Sequence, residues 1–209
     1  MRLFERYERV VVISLPERTD RRREMVRNLG PIEFFDAVRP FDKGPFQSIG
    51  AHGCYLSHLA VLKQGGSVLI LEDDCDFLPH AFDYRVPPVG VFYGGWLEMT
   101  DSYIIGSHCM GFNARAAKLA ASYLTNLLDP DFPADPQAAS ELGFNPAIRP
   151  PVDGAYVWFR RAHPELTTEF ARISVQRPSR SDCTPGRFDG IPALRPIAQL
   201  GRKLRMVYA

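Results

Sequence analysis

Short apolar runs alternate with amphipathic stretches along this chain, and their spacing sets out the expected elements. Val10 to Leu15 (VVVISL) is β-branched and shows no apolar–polar alternation, the pattern of a strand covered on both faces. Pro16 stops it, and Thr19 or Asp20 is placed to cap a charged helix, RRREMVRNLG, that Gly30 closes. Ile32 to Phe35 reads as a second strand and residues 38–49 as a loop. Tyr55, Leu59 and Leu62 then recur at helical spacing until Gly65-Gly66. A strand over 67–71 follows, then an apolar run from Val89 to Tyr93 broken by Gly94-Gly95, and a short strand from Tyr103 to Ile105. Residues 113–128 give the clearest helix, with Asn113 at its cap and Ala117, Leu119, Ala120, Leu124 and Leu127 on one face. Prolines crowd residues 130–151 and predict a loop; 152–161 reads as a helix and 173–175 as a strand.

Strands alternating with helices predict an α/β domain around a largely parallel sheet. In such sheets ligands bind outside the carboxyl ends of the strands. We expect a catalytic domain over residues 1–177 and a loop-rich, basic extension over 178–209.

Charge narrows the function classes. The 209 residues carry 25 Lys plus Arg against 24 Asp plus Glu, so no net field points to nucleic acid. Cys54, Cys75, Cys109 and Cys183 are far apart and form no CxxC pair, which argues against a zinc site or a disulfide framework and for a reducing compartment. The apolar run VVVISL is too short for a signal core or a membrane span. The expected location is the cytoplasm.

The chemistry concentrates in SVLILEDDCDF, residues 67–77, where a buried-looking strand ends in Glu72, Asp73, Asp74 and Asp76. A single acid there would read as a turn or helix cap. Adjacent acids repel one another, and a cation relieves that repulsion. Mg²⁺ or Mn²⁺ takes one or two carboxylates and completes its shell with water and phosphate oxygens. A pair of carboxylates for glycoside hydrolysis is the third reading. Side chains alternate along an extended segment, so Glu72 and Asp74 are expected on one face and Asp73 on the other.

Several segments resemble glycosyltransferase family 25, which includes bacterial lipooligosaccharide and procollagen galactosyltransferases. VVISLPERTDRR is similar to the family's opening strand and loop, and EFFDAVRP to its second strand. GAHGCYLSHLAVLK resembles its Gly-Cys…Ser-His segment, VLILEDD its acidic motif, PVDGAYVWF its Pro-Val-Asp segment and QRPSRSD its Gln…Ser-Asp segment, in the family's order. SHCMGFN departs from the family's pattern. The resemblance implies a glycosyltransferase A-type fold, Rossmann-like, and an inverting transfer of a sugar. The donor it implies is a UDP-sugar, with galactose as the expected sugar, and the acceptor is a hydroxyl of a glycan or glycolipid such as lipopolysaccharide.

On that basis Glu72 and Asp74 are the expected ligands of Mn²⁺ or Mg²⁺, with Asp76 and Asp182 as further candidates. Asp153 is the expected general base, the alternative being a helix cap, and Glu98 is the reserve base. Leu15, Arg18, Asp20, Arg21, Ser57, His58 and Asp73 are implied at the donor site, with His58 alternatively holding the acidic loop. Most of the RTDRRR run reads as a solvated helix face. Gly94-Gly95 would let a substrate approach the backbone, and Trp96 would stack on a sugar or join the core. The tail, with Arg195, Arg202, Lys203 and Arg205 among apolar residues, is either a frayed terminus or a peripheral contact with the inner face of a membrane. Two other functions use the same features: a metal-dependent nucleotidyl- or phosphotransferase, and a non-catalytic nucleotide- or glycan-binding protein.

Overall fold

The structure is a computed structural model that describes residues 1–100, 103–132 and 148–177. Its strands are β1 (Arg9–Ser14), β2 (Glu33–Asp36), β3 (Val68–Glu72), β4 (Cys75–Phe77), β5 (Val91–Gly95), β6 (Glu98–Met99), β7 (Ile104–Ile105), β8 (Cys109–Phe112), β9 (Thr168–Phe170) and β10 (Ser174–Gln176). Its helices are α1 (Thr19–Leu29), α2 (Ile49–Lys63), α3 (Ala114–Asn126) and α4 (Val152–Ala162).

Six strands form one sheet in the order β2-β1-β3-β8-β5-β9. β1 pairs parallel with β2 and β3, β8 pairs antiparallel with β3 and β5, and β9 lies parallel to β5. Only β8 runs against its neighbours, so the expected α/β architecture with a mostly parallel sheet is present. Among the described residues, β4–β10 and β6–β7 pair as two small separate ribbons.

Both faces of the sheet are covered, which is why its strands read as unbroken apolar runs. On β3, Val68 and Ile70 pack toward α2, α3 and α4, against Tyr55, Leu59, Tyr156 and Phe159. Leu69 and Leu71 face the other way, with Val12 and the α1 residue Met25. α2 is buried nearly all round, with Gly53, Tyr55, Ser57, His58 and Leu59 all inside. A Cβ on Gly53 would lie 2.5 Å from the carbonyl oxygen of Val38, so the loop after β2 can press on α2 only at a glycine. Among the described residues no helix is long and apolar enough to cross a membrane.

Several boundaries differ from the sequence expectation. α1 starts at Thr19 with Arg18 in the cap position and no side-chain cap, so neither Thr19 nor Asp20 plays that part. α2 starts inside the expected loop, because the Ser48 side chain accepts the Ala51 N–H at 3.0 Å. β5 continues through Gly94-Gly95 rather than ending before them. β8 arises from the SHCMGFN segment, where no strand was expected. Asn113 does cap α3, accepting from the Ala116 N–H at 2.8 Å.

Candidate active site

From β1 the chain passes through α1 to β2 on one side, then returns through α2 to β3 on the other. The carboxyl ends of β1 and β3 therefore flank a topological switch point, where open α/β sheets bind ligands. Ser14, the last residue of β1, donates from its hydroxyl to Asp73 Oδ2 at 2.7 Å. Arg21, in the first turn of α1, donates to Asp73 Oδ1 and lies 3.5 Å from Asp74 Oδ2. All three charged side chains are buried.

This arrangement corrects the expected alternation. The chain leaves extended geometry after Glu72 and turns at Asp73-Asp74, so the two-residue period lapses. Asp73 and Asp74 both meet Arg21, while Glu72 turns toward α2. Arg21 supplies part of the positive charge that the acidic run suggests a metal would provide; implied at the donor site, it is here a buried counter-ion of Asp73 and Asp74. Gln176 Nε2 lies 3.3–3.4 Å from the Asp74 carboxylate, and the Asp74 carbonyl accepts the Arg177 N–H at 2.7 Å. Burial raises Asp74 to about 7, the nearby Glu72 and Asp73 add to the shift, and Arg21 pulls it back. Asp76 is turned into an ion pair with Arg177, whose Nε donates to Oδ2 at 2.9 Å, and Arg177 also meets Glu24.

Glu72 sits in different surroundings. Its Oε1 accepts from Ser107 Oγ at 2.9 Å and stands 3.7 Å from His58 Nε2, beyond hydrogen-bond length. His58 Nδ1 is 3.0 Å from the Tyr156 hydroxyl. Burial pushes the Glu72 carboxyl up, but His58, His108 and Ser107 together outweigh it and hold it below the usual range. His108 is fully buried beside this carboxylate, and burial pushes its ring below the ordinary histidine value. Ser14 lies within VVISLPERTDRR, Ser107 and His108 open the divergent SHCMGFN segment and Gln176 opens QRPSRSD, but the sequence singles out none of the four.

Asp153 is the second residue of α4, with Pro151 in the cap position, so the helix-cap alternative is corrected. Its Oδ2 accepts the Gly106 N–H at 3.0 Å and its Oδ1 the Gly154 N–H at 2.9 Å. The carboxylate thus ties α4 to the turn between β7 and β8. Burial raises its pKa, the two backbone donors oppose the rise, and Glu72 adds to it. Glu98 lies exposed on the β6–β7 ribbon, where it accepts the Tyr103 hydroxyl. It is not brought to the acidic cluster.

Arg18 is half-buried at the start of α1, with Nε 3.4 Å from the exposed Asp20. The Leu15 carbonyl accepts the Arg18 N–H at 3.0 Å, so these residues shape the loop that leaves β1 beside the crevice. Ser57 is committed elsewhere: its hydroxyl donates to Gly53 O at 2.6 Å and accepts the Val38 N–H at 2.8 Å, bracing the loop after β2. Asp182 lies outside the described residues.

Gly95 serves packing rather than substrate approach. A Cβ there would stand 2.2 Å from His108 Nε2 and 2.5 Å from Ser174 Oγ. Trp96 is half-buried and meets Phe170 edge-on, with ring centroids 6.2 Å apart. Beside it, a cleft of about 700 Å³ opens between the β6–β7 ribbon, α4 and the edge strand β9, lined by Tyr103, Ile104, Arg160, Arg161 and Phe170 among others. The Arg160 guanidinium lies 4.8 Å from the Phe170 ring centroid and 5.4 Å from that of Tyr93.

No protein-family model matches the chain, and no curated protein matches it. Among solved structures, it is similar to the crystal structure of a glycosyltransferase involved in the glycosylation of the major capsid of PBCV-1. The two are 12% identical, the match covers 93% of this chain and 98% of that one, and the TM-score is 0.42.

Proposed function

We propose that this protein is an inverting glycosyltransferase of the A-type fold, akin to family 25, that moves a sugar from a UDP-sugar to a hydroxyl of a glycan or glycolipid. The observation that carries this reading is the set of buried carboxylates at the β1/β3 switch point, only partly neutralised by Arg21. Such a crevice accepts a nucleotide, and its surplus negative charge calls for a cation beside the diphosphate.

The residues fit that cation. Asp73 and Asp74 meet one guanidinium while Glu72 faces His58, and among the described residues the Asp74 carboxylate meets only the long Gln176 contact and Arg21 at 3.5 Å. All-oxygen donors suit Mn²⁺ or Mg²⁺. Asp74 would hold the ion, with Glu72 adding negative charge from the α2 side; Asp76, already paired with Arg177, would not. When bound, the ion offsets the charge that grows on the leaving diphosphate.

The protein's own groups supply the rest. Arg21 and Ser14 fix Asp73, which holds the acidic turn in place. Arg18 and the first turn of α1 face the end of β1 and suit phosphate oxygens. Asp153 takes the proton of the attacking hydroxyl, since a carboxyl raised by burial is a better base near neutral pH than an ordinary one. The arginine-aromatic cleft between α4 and β9 offers ring faces for the acceptor sugar. Galactose as the donor sugar, lipopolysaccharide as the acceptor and a membrane contact through the basic tail follow from the resemblance and from the tail's composition.

A screen of nucleotide sugars for UDP release tests the reading. The expected result is free UDP with an extended glycan, dependent on Mn²⁺ and abolished by EDTA, and Asp74→Asn should be folded and inactive. Pyrophosphate or a phosphorylated product would instead indicate a nucleotidyl- or phosphotransferase. Tight nucleotide binding without turnover would indicate a binding protein. Full activity in chelator would remove the metal.

A further inference from the structure

Glu72, once turned toward α2, meets two other side chains that the proposed transfer does not use. Cys54 and His58 stand four residues apart on α2, so they lie one above the other on the same helix face. The Cys54 sulfur, a His58 ring nitrogen and a Glu72 carboxylate oxygen all lie within 4.8 Å of one another. His58 is fully buried, and its Nε2 has no hydrogen-bond partner among the described residues.

The geometry around the ring is that of a ligand held ready. Nδ1 is 3.0 Å from the Tyr156 hydroxyl, and in the tautomer that donates its proton there Nε2 keeps a free lone pair, 3.7 Å from Glu72 Oε1. That separation is too long for a hydrogen bond. It matches the spacing of two ligand atoms on one tetrahedral ion, about 3.3–3.8 Å for metal–ligand bonds of roughly 2.0–2.3 Å. The Ser107 hydroxyl donates to the same carboxylate oxygen at 2.9 Å. Both the nitrogen and the oxygen ligand therefore have an outer partner that orients them.

We propose that Cys54, His58 and Glu72 form a binding site for a borderline divalent cation of the Zn²⁺ type, distinct from the all-oxygen position at Asp74. A thiolate, an imidazole and one carboxylate are the donors such an ion prefers, whereas Mn²⁺ and Mg²⁺ favour oxygen. Three protein ligands leave the fourth position for a water molecule. Binding displaces the thiol proton to solvent, so uptake weakens as pH falls. The ion would pin α2 to the end of β3, directly beside the acidic turn.

The cysteine spacing argues against zinc because it holds no CxxC pair, whereas these ligands come from one helix and the end of the strand that follows it. The competing account is a His58–Glu72 contact with a thiol nearby and no affinity for metal. Full-length protein, stripped with chelator and dialysed, is titrated with Co²⁺ and then with Zn²⁺. The proposal expects one equivalent of Co²⁺ with a thiolate-to-metal charge-transfer band that Zn²⁺ displaces and excess Mg²⁺ does not. Cys54→Ser, at a half-buried position that should still fold, loses the band. Tyr156→Phe, which keeps the ring but frees His58 Nδ1, weakens binding by roughly 10–100-fold. Asp74→Asn keeps the band. Folded wild-type protein that shows no band, or a band that survives Cys54→Ser in protein shown folded by circular dichroism, overturns the proposal.

Discussion

Replacing Arg21 by Met tests whether the guanidinium is a structural counter-ion or an ordinary helix-surface charge. Its side chain is 8% exposed and that of Asp73 9%. The substitution keeps the length and apolar stem of the side chain and removes the charge, which leaves Asp73 buried with, among the described residues, the Ser14 hydroxyl as its side-chain partner. Asp74 loses its nearest cation as well. Breaking a buried pair on one side costs about 3–5 kcal/mol, because the remaining charge stays desolvated. That is a large share of a total stability of about 5–15 kcal/mol. Urea unfolding followed by far-ultraviolet circular dichroism reads the loss directly: at a slope of about 2 kcal/mol per molar, the midpoint falls by roughly 2 M. The double variant Arg21→Met/Asp73→Asn discriminates further. If the penalty is an orphaned carboxylate, neutralising it recovers most of the loss, and the two substitutions are strongly non-additive. A loss under about 1 kcal/mol for Arg21→Met, or simple additivity in the pair, would refute the counter-ion role.

Three further expectations follow from the same contacts. Asp74 is raised from 3.8 to about 7, so the folded state binds a proton that the unfolded chain has already lost; this group's stabilising contribution is complete below the unfolded value and is lost as pH rises through about 7. In chelator, wild type should therefore melt lower at about pH 8 than at about pH 5 by a margin that Asp74→Asn reduces, and an identical pH slope in both proteins would contradict it. Asp153→Asn should lower kcat by about 10²-fold or more while nucleotide affinity holds, and wild-type turnover should fall with acid at a pKa above the ordinary carboxylate range; loss of nucleotide binding instead would move Asp153 to the donor side. Gly95→Ala should destabilise by about 1–3 kcal/mol through overlap with His108 and Ser174, read as a lower unfolding midpoint, and an unchanged midpoint would show that the ring can yield.

The elements legible in the sequence are those in which burial and periodicity agree. Val11, Val12 and Ile13 in β1 and Val68 to Leu71 in β3 are covered on both faces, and β-branched or apolar residues fill every position. α3 carries both a capping Asn113 and a one-sided apolar face. β8 was missed because Cys-Met-Gly-Phe has no β-branched residue; what makes it a strand is its place between β3 and β5, with Gly111 passing close over the Tyr7 hydroxyl, where a Cβ would stand 2.1 Å away. β4 and β9 span only three residues each and exist by pairing with segments distant in the chain. In the site, the acidic turn could be singled out from local spacing, and His58 and Asp153 from the family resemblance. Which charge answers which could not, since Arg21 reaches Asp73 across 52 residues and Gln176 reaches Asp74 across 102.

The acidic run after β3 raises the question of what keeps so many carboxylates together, and the fold resolves it by dividing them. Asp73 and Asp74 turn to the α1 side and share Arg21, Glu72 turns to the α2 side and faces His58, and Asp76 closes on Arg177 beyond the turn. Each acid thus has a different balance of burial and positive charge, which is the condition for different roles at one strand end. Asp73 is matched and therefore structural, whereas Asp74 is buried and under-compensated. Its raised pKa is a cost the fold carries at neutral pH. On the proposed reading a bound cation offsets that cost, whereas a purely structural turn would be more stable with asparagine there. The stability of Asp74→Asn relative to wild type, with and without Mn²⁺, is accordingly a test of function that needs no substrate. The variant should be the more stable protein in chelator, and wild type should regain the difference only when the ion is present.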